Sequence, residues 1–273
     1  MVISLHNFSN KMTAYTKQDV LLQATDVCLS YDGTPILHDI NFSIRNIVRP
    51  GVSQGQVISL LGRSGVGKTQ LFRLMAGLQK PTSGSITING NKQVEAGDMG
   101  VVFQHYYLFE WKTIYQSLRM ATSQNPLLKG NEKEAIEKWA ATFDITACLH
   151  KYPQQLSGGQ RQRASIMQQL LKGSKFLLFD EPFSGLDVCV LDKVVDMLLQ
   201  VSMADELNTL IIVSHDIETS VAISDTVYIL GKEEGGSTIK KEIDLVERDL
   251  AWHKDVRRNK AFADTLDEIK ASL

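Results

Sequence analysis

The stretch VISLLGRSGVGKTQLFRLMA, residues 57–76, decides the fold of this chain. Residues 57–61 are mostly apolar and of strand length, and residues 62–69 match the pattern GxxxxGK(S/T) at every fixed position. Residues 69–76 follow with apolar side chains at helical spacing. A strand that enters a glycine-rich turn and continues into a helix is the setting in which this pattern binds phosphate. The stretch therefore predicts a phosphate-binding strand–loop–helix unit.

The chemistry of this loop follows from its backbone and from two side chains. Successive N–H groups form a concave anion nest, and the helix that follows adds the positive end of its dipole. Glycines let the backbone approach phosphate oxygens and adopt positive φ. Lys68 brings a positive charge to the β- and γ-phosphates, and the Thr69 hydroxyl is suited to Mg²⁺. The loop predicts a site for a nucleoside triphosphate with Mg²⁺.

A second element places two acids at the end of another strand. Residues 176–179 are apolar, and Asp180 and Glu181 follow directly. In an open α/β sheet, ligands bind outside the carboxyl ends of the strands, which is where both carboxylates emerge. We expect Asp180 to hold Mg²⁺, through water, and Glu181 to polarise the attacking water.

The remaining pattern indicates an α/β sheet with an antiparallel part. Residues 176–179 and 210–213 are continuous apolar runs, typical of parallel strands buried on both faces, and residues 191–201 between them have helical spacing. Alternation around the turn Asp32-Gly33 predicts a hairpin and a smaller antiparallel sheet beside the parallel one. Residues 115–173, rich in Gln, Lys, Glu and Ala, predict several helices.

The run LSGGQ identifies a family resemblance. A Ser-Gly-Gly sequence at the start of a helix offers a hydroxyl and exposed N–H groups, a second phosphate site. Followed by Arg161, Gln162 and Arg163, the run resembles the signature of the ATP-binding-cassette (ABC) ATPases. Its residues are Leu156, Ser157, Gly158, Gly159 and Gln160. The resemblance implies an α/β P-loop NTPase fold of the ABC ATPase type, with a mixed RecA-like sheet core, a small antiparallel β-subdomain and a helical signature subdomain.

The resemblance extends over residues 21–232 and implies a role for each matching position. Tyr31 matches the aromatic residue that stacks on adenine, although an ordinary strand aromatic is an alternative interpretation. Gln104 matches the Q-loop glutamine, and His215 matches the switch histidine that contacts the γ-phosphate. The D-loop, which crosses the dimer interface, corresponds to Ser184, Gly185, Leu186 and Asp187.

By this resemblance, the chain is an ATPase whose sites form between two copies. ATP is closed between the Walker A loop of one subunit and the signature of the other, and closure excludes water from the γ-phosphate. Catalysis is assigned to Glu181, His215, Gln104 and Lys68, and Mg²⁺ binding to Thr69, Gln104 and Asp180. The positions assigned to ATP binding are Tyr31, Gly62, Arg63, Ser64, Gly65, Val66, Gly67, Lys68, Thr69 and Gln70.

Three features depart from the family pattern. Gln70 stands where a hydroxyl or small polar residue is common, and residues 45–54 look like a loop longer than usual. Glu110 replaces proline in the segment that normally faces the coupling helix of a permease. Two interpretations are open for Phe109 and Trp111 in that segment: contact with a permease, or packing within the helical subdomain.

The chain divides by pattern into three parts. Residues 1–20 are polar and are expected to form an irregular lead-in, residues 21–235 the ABC ATPase domain, and residues 236–273 a tail. The helical subdomain is expected at about residues 105–170. In the tail, Phe262, Leu266, Ile269 and Leu273 lie on one face of an amphipathic helix, which packs on its own domain or binds a partner.

Composition excludes several classes of protein. Lys plus Arg total 29 and Asp plus Glu total 31, so no bulk charge favours nucleic acid. Apolar runs reach only four residues, whereas a membrane-spanning helix needs about 20. The N-terminus lacks the pattern of a secretory signal, and Cys28, Cys148 and Cys189 have no disulfide-framework or zinc spacing. These features favour a cytoplasmic protein.

Three functions are compatible with the motifs. The leading one is the ATPase subunit of an ABC importer, resembling the nitrate/sulfonate/taurine branch, peripheral on the inner face of the cell membrane. Its implied partners are transmembrane permease subunits, a second ATPase subunit forming a homodimer, and a solute-binding protein. The alternatives are a non-transport ABC-type ATPase, with a role in iron–sulfur assembly or a mechanical role, and a cassette that senses ATP without catalysis.

Overall fold

A ten-stranded sheet runs through residues 15–49, 54–186, 188–252 and 255–273, the part of the chain that the computed structural model describes. The strands are β1 Thr16–Tyr31, β2 Thr34–Val48, β3 Gln56–Leu61, β4 Ser83–Ile88, β5 Lys92–Gln93, β6 Gly100–Val102, β7 Phe176–Asp180, β8 Thr209–Ser214, β9 Thr226–Glu233 and β10 Gly236–Asp244. The helices are α1 Lys68–Met75, α2 Ile114–Thr122, α3 Glu132–Thr142, α4 Gly158–Leu171, α5 Val188–Met203, α6 Ile217–Ile223 and α7 Lys260–Ser272.

The sheet has a parallel part and an antiparallel part. Its strand order is β5-β4-β1-β2-β10-β9-β3-β8-β7-β6, and the strands from β9 to β6 pair in parallel. At the other end, β1 pairs antiparallel with β2 and β4. The two parts meet where β2 and β10 pair at Leu37 and Ser237. The mixed α/β fold is therefore confirmed, but the antiparallel strands belong to the same sheet and do not form a second one.

The strand–loop–helix unit predicted at residues 57–76 is confirmed. All six residues of β3 are buried, since β8 pairs on one side and β9 on the other. A Cβ atom at Gly62 would lie 2.7 Å from Cγ1 of Val66 and 2.8 Å from the carbonyl oxygen of Leu230, so only glycine fits there. Gly67 has a φ of 94° and precedes the first residue of α1. The glycines thus turn the chain tightly between sheet and helix.

The hairpin predicted at Asp32-Gly33 is also confirmed. Tyr31 pairs with Thr34, and the two turn residues have φ values of 48° and 77°. Two consecutive positive φ values are those of a type I′ turn, which suits the twist of the flanking strands.

Two expectations about strand ends are wrong. Residues 16–20, expected in an irregular lead-in, form the start of β1, and residues 45–48, expected in a loop, form the end of β2. Both were missed because the two segments pair with each other, Thr16 with Val48 and Lys17 with Ile47, far from the turn. Residues 1–14 and 50–53 lie outside the described part of the chain.

The helices predicted within residues 115–173 appear as α2, α3 and α4, joined by short 3-10 turns. Capping boxes start α2 at Thr113 and α4 at Ser157, where each hydroxyl accepts a hydrogen bond from the backbone three residues on. No helix of the described residues is both long and apolar enough to cross a membrane.

The tail packs on its own domain, as one of the two interpretations held. β10 inserts between β9 and β2, and Phe262 and Ile269 of α7 are buried in the larger core cluster. Trp252 Nε1 donates a 2.8 Å hydrogen bond to Oδ1 of Asp225, a buried carboxylate that pairs with Arg49. The tail is thus part of the sheet and of its core, a role that its composition did not reveal.

Candidate nucleotide-binding and catalytic site

A cavity of about 480 Å³ opens at the carboxyl ends of the parallel strands, beside the start of α1. It combines the glycine-rich loop with side chains from three other segments of the chain. Its lining residues are Ile36, Ser64, Gly65, Gly67, Lys68, Thr69, Gln70, Gln104, Glu181, Ser184 and His215. Folding therefore brings the glycine-rich loop to one place with Gln104 of the Q-loop, Glu181 after β7, Ser184 of the D-loop and the switch residue His215.

Lys68 holds a buried positive charge at the floor of this loop. Its side chain is 8% exposed, and Nζ donates hydrogen bonds to the carbonyl oxygens of Gly62 at 2.8 Å and Arg63 at 3.3 Å. Nζ also lies 3.5 Å from Oε1 of Glu181. The ammonium group is thus fixed beside backbone N–H groups, an arrangement that favours an anion in the cavity.

Asp180 and Glu181 differ in environment although they are adjacent. Burial raises the pKa of Asp180, with a further rise from the Glu181 charge, while Lys68 and Arg73 oppose the shift. Glu181 follows the last residue of β7 with a φ of 50°, in the left-handed region. This conformation costs a residue with a side chain free energy, so neighbouring contacts must hold it.

The Glu181 carboxylate is engaged at both oxygens. Oε2 lies 2.7 Å from Nδ1 of His215 and accepts a 3.3 Å hydrogen bond from the His215 backbone, while Oε1 faces Lys68. The His215 side chain is 61% exposed, so its ring is open to the cavity. A carboxylate held by a histidine and a lysine is oriented to accept a proton from a nucleophile in the cavity.

Gln104 and Ser184 join two further segments. Gln104 follows β6, and its Nε2 donates a 3.4 Å hydrogen bond to Oγ of Ser184, three residues after Glu181. Gly185 is exposed and Leu186 half-buried beyond it. Asp187, the last of the predicted D-loop residues, lies outside the described residues.

Tyr31 lies at the rim of the cavity, at the end of the hairpin. Its hydroxyl donates a 2.8 Å hydrogen bond to Oε1 of Gln70 and accepts a 2.7 Å hydrogen bond from Nε2 of Gln79. The side chain remains 43% exposed. The ring is therefore held in place and accessible. No motif pointed to Gln79, because its contact with Tyr31 exists only in the fold.

The signature residues stand apart from this cavity. None of residues 156–160 is among its described lining residues. Ser157 caps α4, accepting a hydrogen bond from the backbone of Gln160. A Cβ atom at Gly158 would meet nothing within 4 Å, and one at Gly159 would meet only Cγ1 of Val190, at 3.9 Å. Leu156 anchors the signature in the core, while Gly158 and Gly159 leave open space at the N-terminus of α4.

Three comparisons show which known proteins this chain is similar to. The family described as "ABC transporter" matches residues 46–184, just over half of the chain. The nitrate import ATP-binding protein NrtD of Synechocystis sp. is 33% identical over 216 residues, 77% of this chain and 77% of that protein. The structure of cbiO1 from Clostridium perfringens, part of the ABC transporter complex cbiONQ, has a TM-score of 0.70 and 27% identity, over 85% of this chain and 91% of that one.

A further relative shows how much of each protein's length the similarity covers. The bicarbonate transport ATP-binding protein CmpC of Synechococcus elongatus is 35% identical over 187 residues, 67% of this chain but only 28% of that protein. The chain therefore spans about a quarter of the length of some curated relatives and three quarters of others. One family matches more than half of its length, and both a curated relative and a solved structure of the same family match more than three quarters of it. The chain is therefore an ATP-binding protein of the ABC transporter family, whose members hydrolyse ATP.

Proposed function

We propose that this chain is the ATP-hydrolysing subunit of an ABC importer and drives solute transport through separate permease subunits. The observation that carries the proposal is the Glu181 carboxylate, held between Lys68 and His215 inside the loop-lined cavity. The named relatives support import, since they include ATP-binding proteins of nitrate and bicarbonate systems. The nitrate/sulfonate branch is the assignment that these names fit best.

ATP enters the cavity with its phosphates on the glycine-rich loop. Residues 62–70 supply backbone donors and the Lys68 charge, and the exposed ring of Tyr31 offers a face on which adenine stacks. The rim position of Tyr31 supports this placement, because Gln70 both contacts its hydroxyl and lines the cavity.

The donors at the cavity fit Mg²⁺. The Thr69 hydroxyl and the Gln104 amide line it, and Asp180 lies next to Glu181, so the set consists of hard oxygen atoms. When bound, Mg²⁺ neutralises charge on the β- and γ-phosphates.

The protein's own groups perform the proton transfer. Glu181 accepts a proton from the attacking water as the bond from water oxygen to the γ-phosphorus forms and the bond to ADP breaks. His215 orients the carboxylate from the side opposite Lys68 and reaches the γ-phosphate from the cavity wall. Gln104, held by Ser184, orients the water.

The site is completed by a second copy of the chain. The Ser157 hydroxyl and the N–H groups after it form an open anion site outside the chain's own cavity. In a head-to-tail dimer, residues 156–160 of one copy cover the ATP of the other, and the D-loop residues, including Asp187, cross between them. ATP closes the dimer, and loss of the γ-phosphate reopens it.

The permease docks on the surface formed by residues 104–118. Tyr107 is 70% exposed and Trp111 72% exposed, and the Trp111 ring lies against Phe109 at a centroid distance of 5.6 Å. Large exposed aromatic residues of this kind mark protein-binding surfaces. Their position next to Gln104 supports coupling between docking and hydrolysis, on the inner face of the membrane. A solute-binding protein completes the importer.

Co-purification from membranes tests this function. The tagged full chain, expressed in its native host and extracted in mild detergent, is expected to bring down integral membrane proteins and to hydrolyse ATP. Mass spectrometry identifies the partners. A purely soluble assembly that hydrolyses ATP would favour the non-transport alternative, and a membrane complex without hydrolysis would favour the cassette that only senses ATP.

A further inference from the structure

The backbone of Glu181 is held in a strained conformation from two sides. With a φ of 50°, it lies in a region that side-chain-bearing residues adopt only when neighbouring contacts enforce it. Before the turn, Glu181 N donates a 2.8 Å hydrogen bond to the carbonyl oxygen of Val213 in β8. After it, the carbonyl oxygen of Pro182 accepts a 3.0 Å hydrogen bond from Nε2 of Gln162. The base is thus fixed between a core strand and a side chain of α4.

Gln162 is an unusual residue for such a position. Its side chain is 0% exposed, and its Oε1 atom has no hydrogen-bond partner among the described residues. Burying an amide with one half unpaired is costly. An apolar residue of the same size would avoid that cost, so the presence of glutamine indicates that the hydrogen bond of its other half, to Pro182, is needed.

We propose that Gln162 is a positioning residue for ATP hydrolysis: its hydrogen bond to the Pro182 carbonyl fixes the turn that aims the Glu181 carboxylate. This role rests on the proposed function. Gln162 itself does not line the cavity, so it acts through Glu181 rather than on the nucleotide. Small displacements of a base are costly, since a misplacement of about 1 Å can reduce rate by roughly a hundredfold.

The hydrogen bond between Gln162 and Pro182 also links the chain's own nucleotide site to the signature at the start of α4. Gln162 lies in the second turn of α4, the helix that Ser157 and the signature begin. A rigid helix carries any movement of its N-terminus to this side chain. The base that acts on the chain's own ATP is therefore aimed by the helix whose first residues meet the ATP of the second copy.

Kinetics of the full chain in its purified complex test the proposal. Gln162→Met keeps the length of the side chain and removes the donor, and Gln168→Met makes the same change on a half-buried position of the same helix. We expect Gln162→Met to lower kcat by roughly 10- to 100-fold with the KM for ATP unchanged, and Gln168→Met to leave both constants near wild type. An unchanged kcat in Gln162→Met, with an active wild type, would overturn the positioning role of Gln162 and leave the proposed function standing.

A second variant separates the effect of the hydrogen bond to Pro182 from the effect of side-chain packing. Gln162→Glu can donate to the Pro182 carbonyl only while the introduced carboxyl is protonated, and burial favours that form. The rate of this variant, divided by the wild-type rate at each pH so that titrations common to both proteins cancel, should fall as pH rises. A ratio that does not change with pH overturns the proposal even if Gln162→Met fails to fold. An inactive wild type would instead overturn the proposed function.

Discussion

Nδ1 of His215 lies 2.7 Å from Oε2 of Glu181, while the other carboxylate oxygen lies 3.5 Å from Nζ of Lys68. The three groups come from different segments of the chain, the end of β8, the end of β7 and the start of α1. Because each carboxylate oxygen has its own partner, the carboxylate has one preferred orientation before any nucleotide binds. The base is preorganised, which is what an electrostatic mechanism requires.

Replacing Glu181 separates binding from turnover. Glu181→Gln should bind ATP, accumulate a closed dimer and lose at least about a hundredfold in kcat, because the amide cannot accept the proton of water. Steady-state hydrolysis and light scattering in the presence of ATP measure the two effects. Glu233→Gln, on the surface beside Lys240, is the control. Hydrolysis by Glu181→Gln at the wild-type rate would show that another group is the base.

Removing the ring of Tyr31 should weaken ATP binding without altering the chemical step. Stacking of a base on an aromatic ring contributes about 1–3 kcal/mol, so Tyr31→Ala should raise KM roughly 5- to 150-fold with kcat retained. Tyr152→Ala removes a ring of similar exposure, 45% against 43%, outside the site and should change neither constant. Equal KM values in the two variants would refute adenine stacking on Tyr31.

Truncating Trp111 should release the permease and spare the nucleotide site. A buried tryptophan at a protein interface commonly contributes 2 kcal/mol or more, so Trp111→Ala should weaken recovery of membrane proteins by roughly 30-fold in affinity. Leu127→Ala, at the most exposed apolar side chain described, is the control. ATP binding, followed with a fluorescent analogue, should be equal in both. Intact recovery with Trp111→Ala would place the docking surface elsewhere.

The ion pairs of Glu268 should make the packing of α7 on the domain less stable at acidic pH. Hydrogen bonds from Arg248, and then from Lys241, lower the pKa of Glu268 to about 2. A carboxylate with a lowered pKa stabilises the fold above its ordinary value near 4.5, and this contribution is lost as pH falls from there toward 2. Since the side chain is 30% exposed, Glu268→Gln should lower the free energy of unfolding at pH 7 by only about 1 kcal/mol.

Urea titrations at several pH values measure the difference in free energy of unfolding between wild type and Glu268→Gln. This difference should shrink below pH 4.5. Asp267→Asn is the matched control, because that carboxylate is 80% exposed and pairs with Lys270 along the same helix. A difference that stays constant down to pH 3 would mean that Glu268 acts through packing and not through its charge.

In the nucleotide-free protein, the charge of Asp180 should lower stability at neutral pH, whereas that of Glu268 raises it. Burial raises the pKa of this carboxyl above its ordinary value of 3.8, so keeping it ionised costs stability at neutral pH. Asp180→Asn should therefore raise the melting temperature at pH 7 while abolishing hydrolysis. The gain should disappear as pH falls through the raised pKa toward 3.8, where the native carboxyl is protonated as well. A lower melting temperature at pH 7 would contradict it.

The parts of the site that could be predicted from sequence are those whose position follows from a short stretch of the chain. Asp180 and His215 each stand at the end of a short apolar strand, and Lys68 begins the helix that the glycine-rich loop joins to β3, so position along the chain already gives position at the sheet edge. Parallel pairing then brings them together without further information. The same reasoning gave the mixed fold, the hairpin at Asp32-Gly33 and the helices of residues 115–173.

The parts that could not be predicted depend on contacts between distant segments. Gln162 and Pro182 are separated by 20 residues, and Tyr31 and Gln79 by 48, and neither pair leaves a pattern in the chain. The far end of the β1–β2 ladder was missed because residues 16–19 of β1 are polar and exposed, so hydrophobic alternation fades there. β10 was missed because its half-buried, lysine-rich segment has the composition of a tail.

The single paired position between β2 and β10, Leu37 with Ser237, gives the sheet a seam. Tyr31 lies on one side of it and Lys68 on the other, so in the proposed binding mode one ATP molecule spans the seam and joins its halves as a cross-link would. Leu37 is also the side chain closest to Gly67, where a Cβ atom would approach its Cδ2 to 3.0 Å. In the proposed binding mode, the bound nucleotide therefore acts as a brace between the two parts of the sheet that binds it.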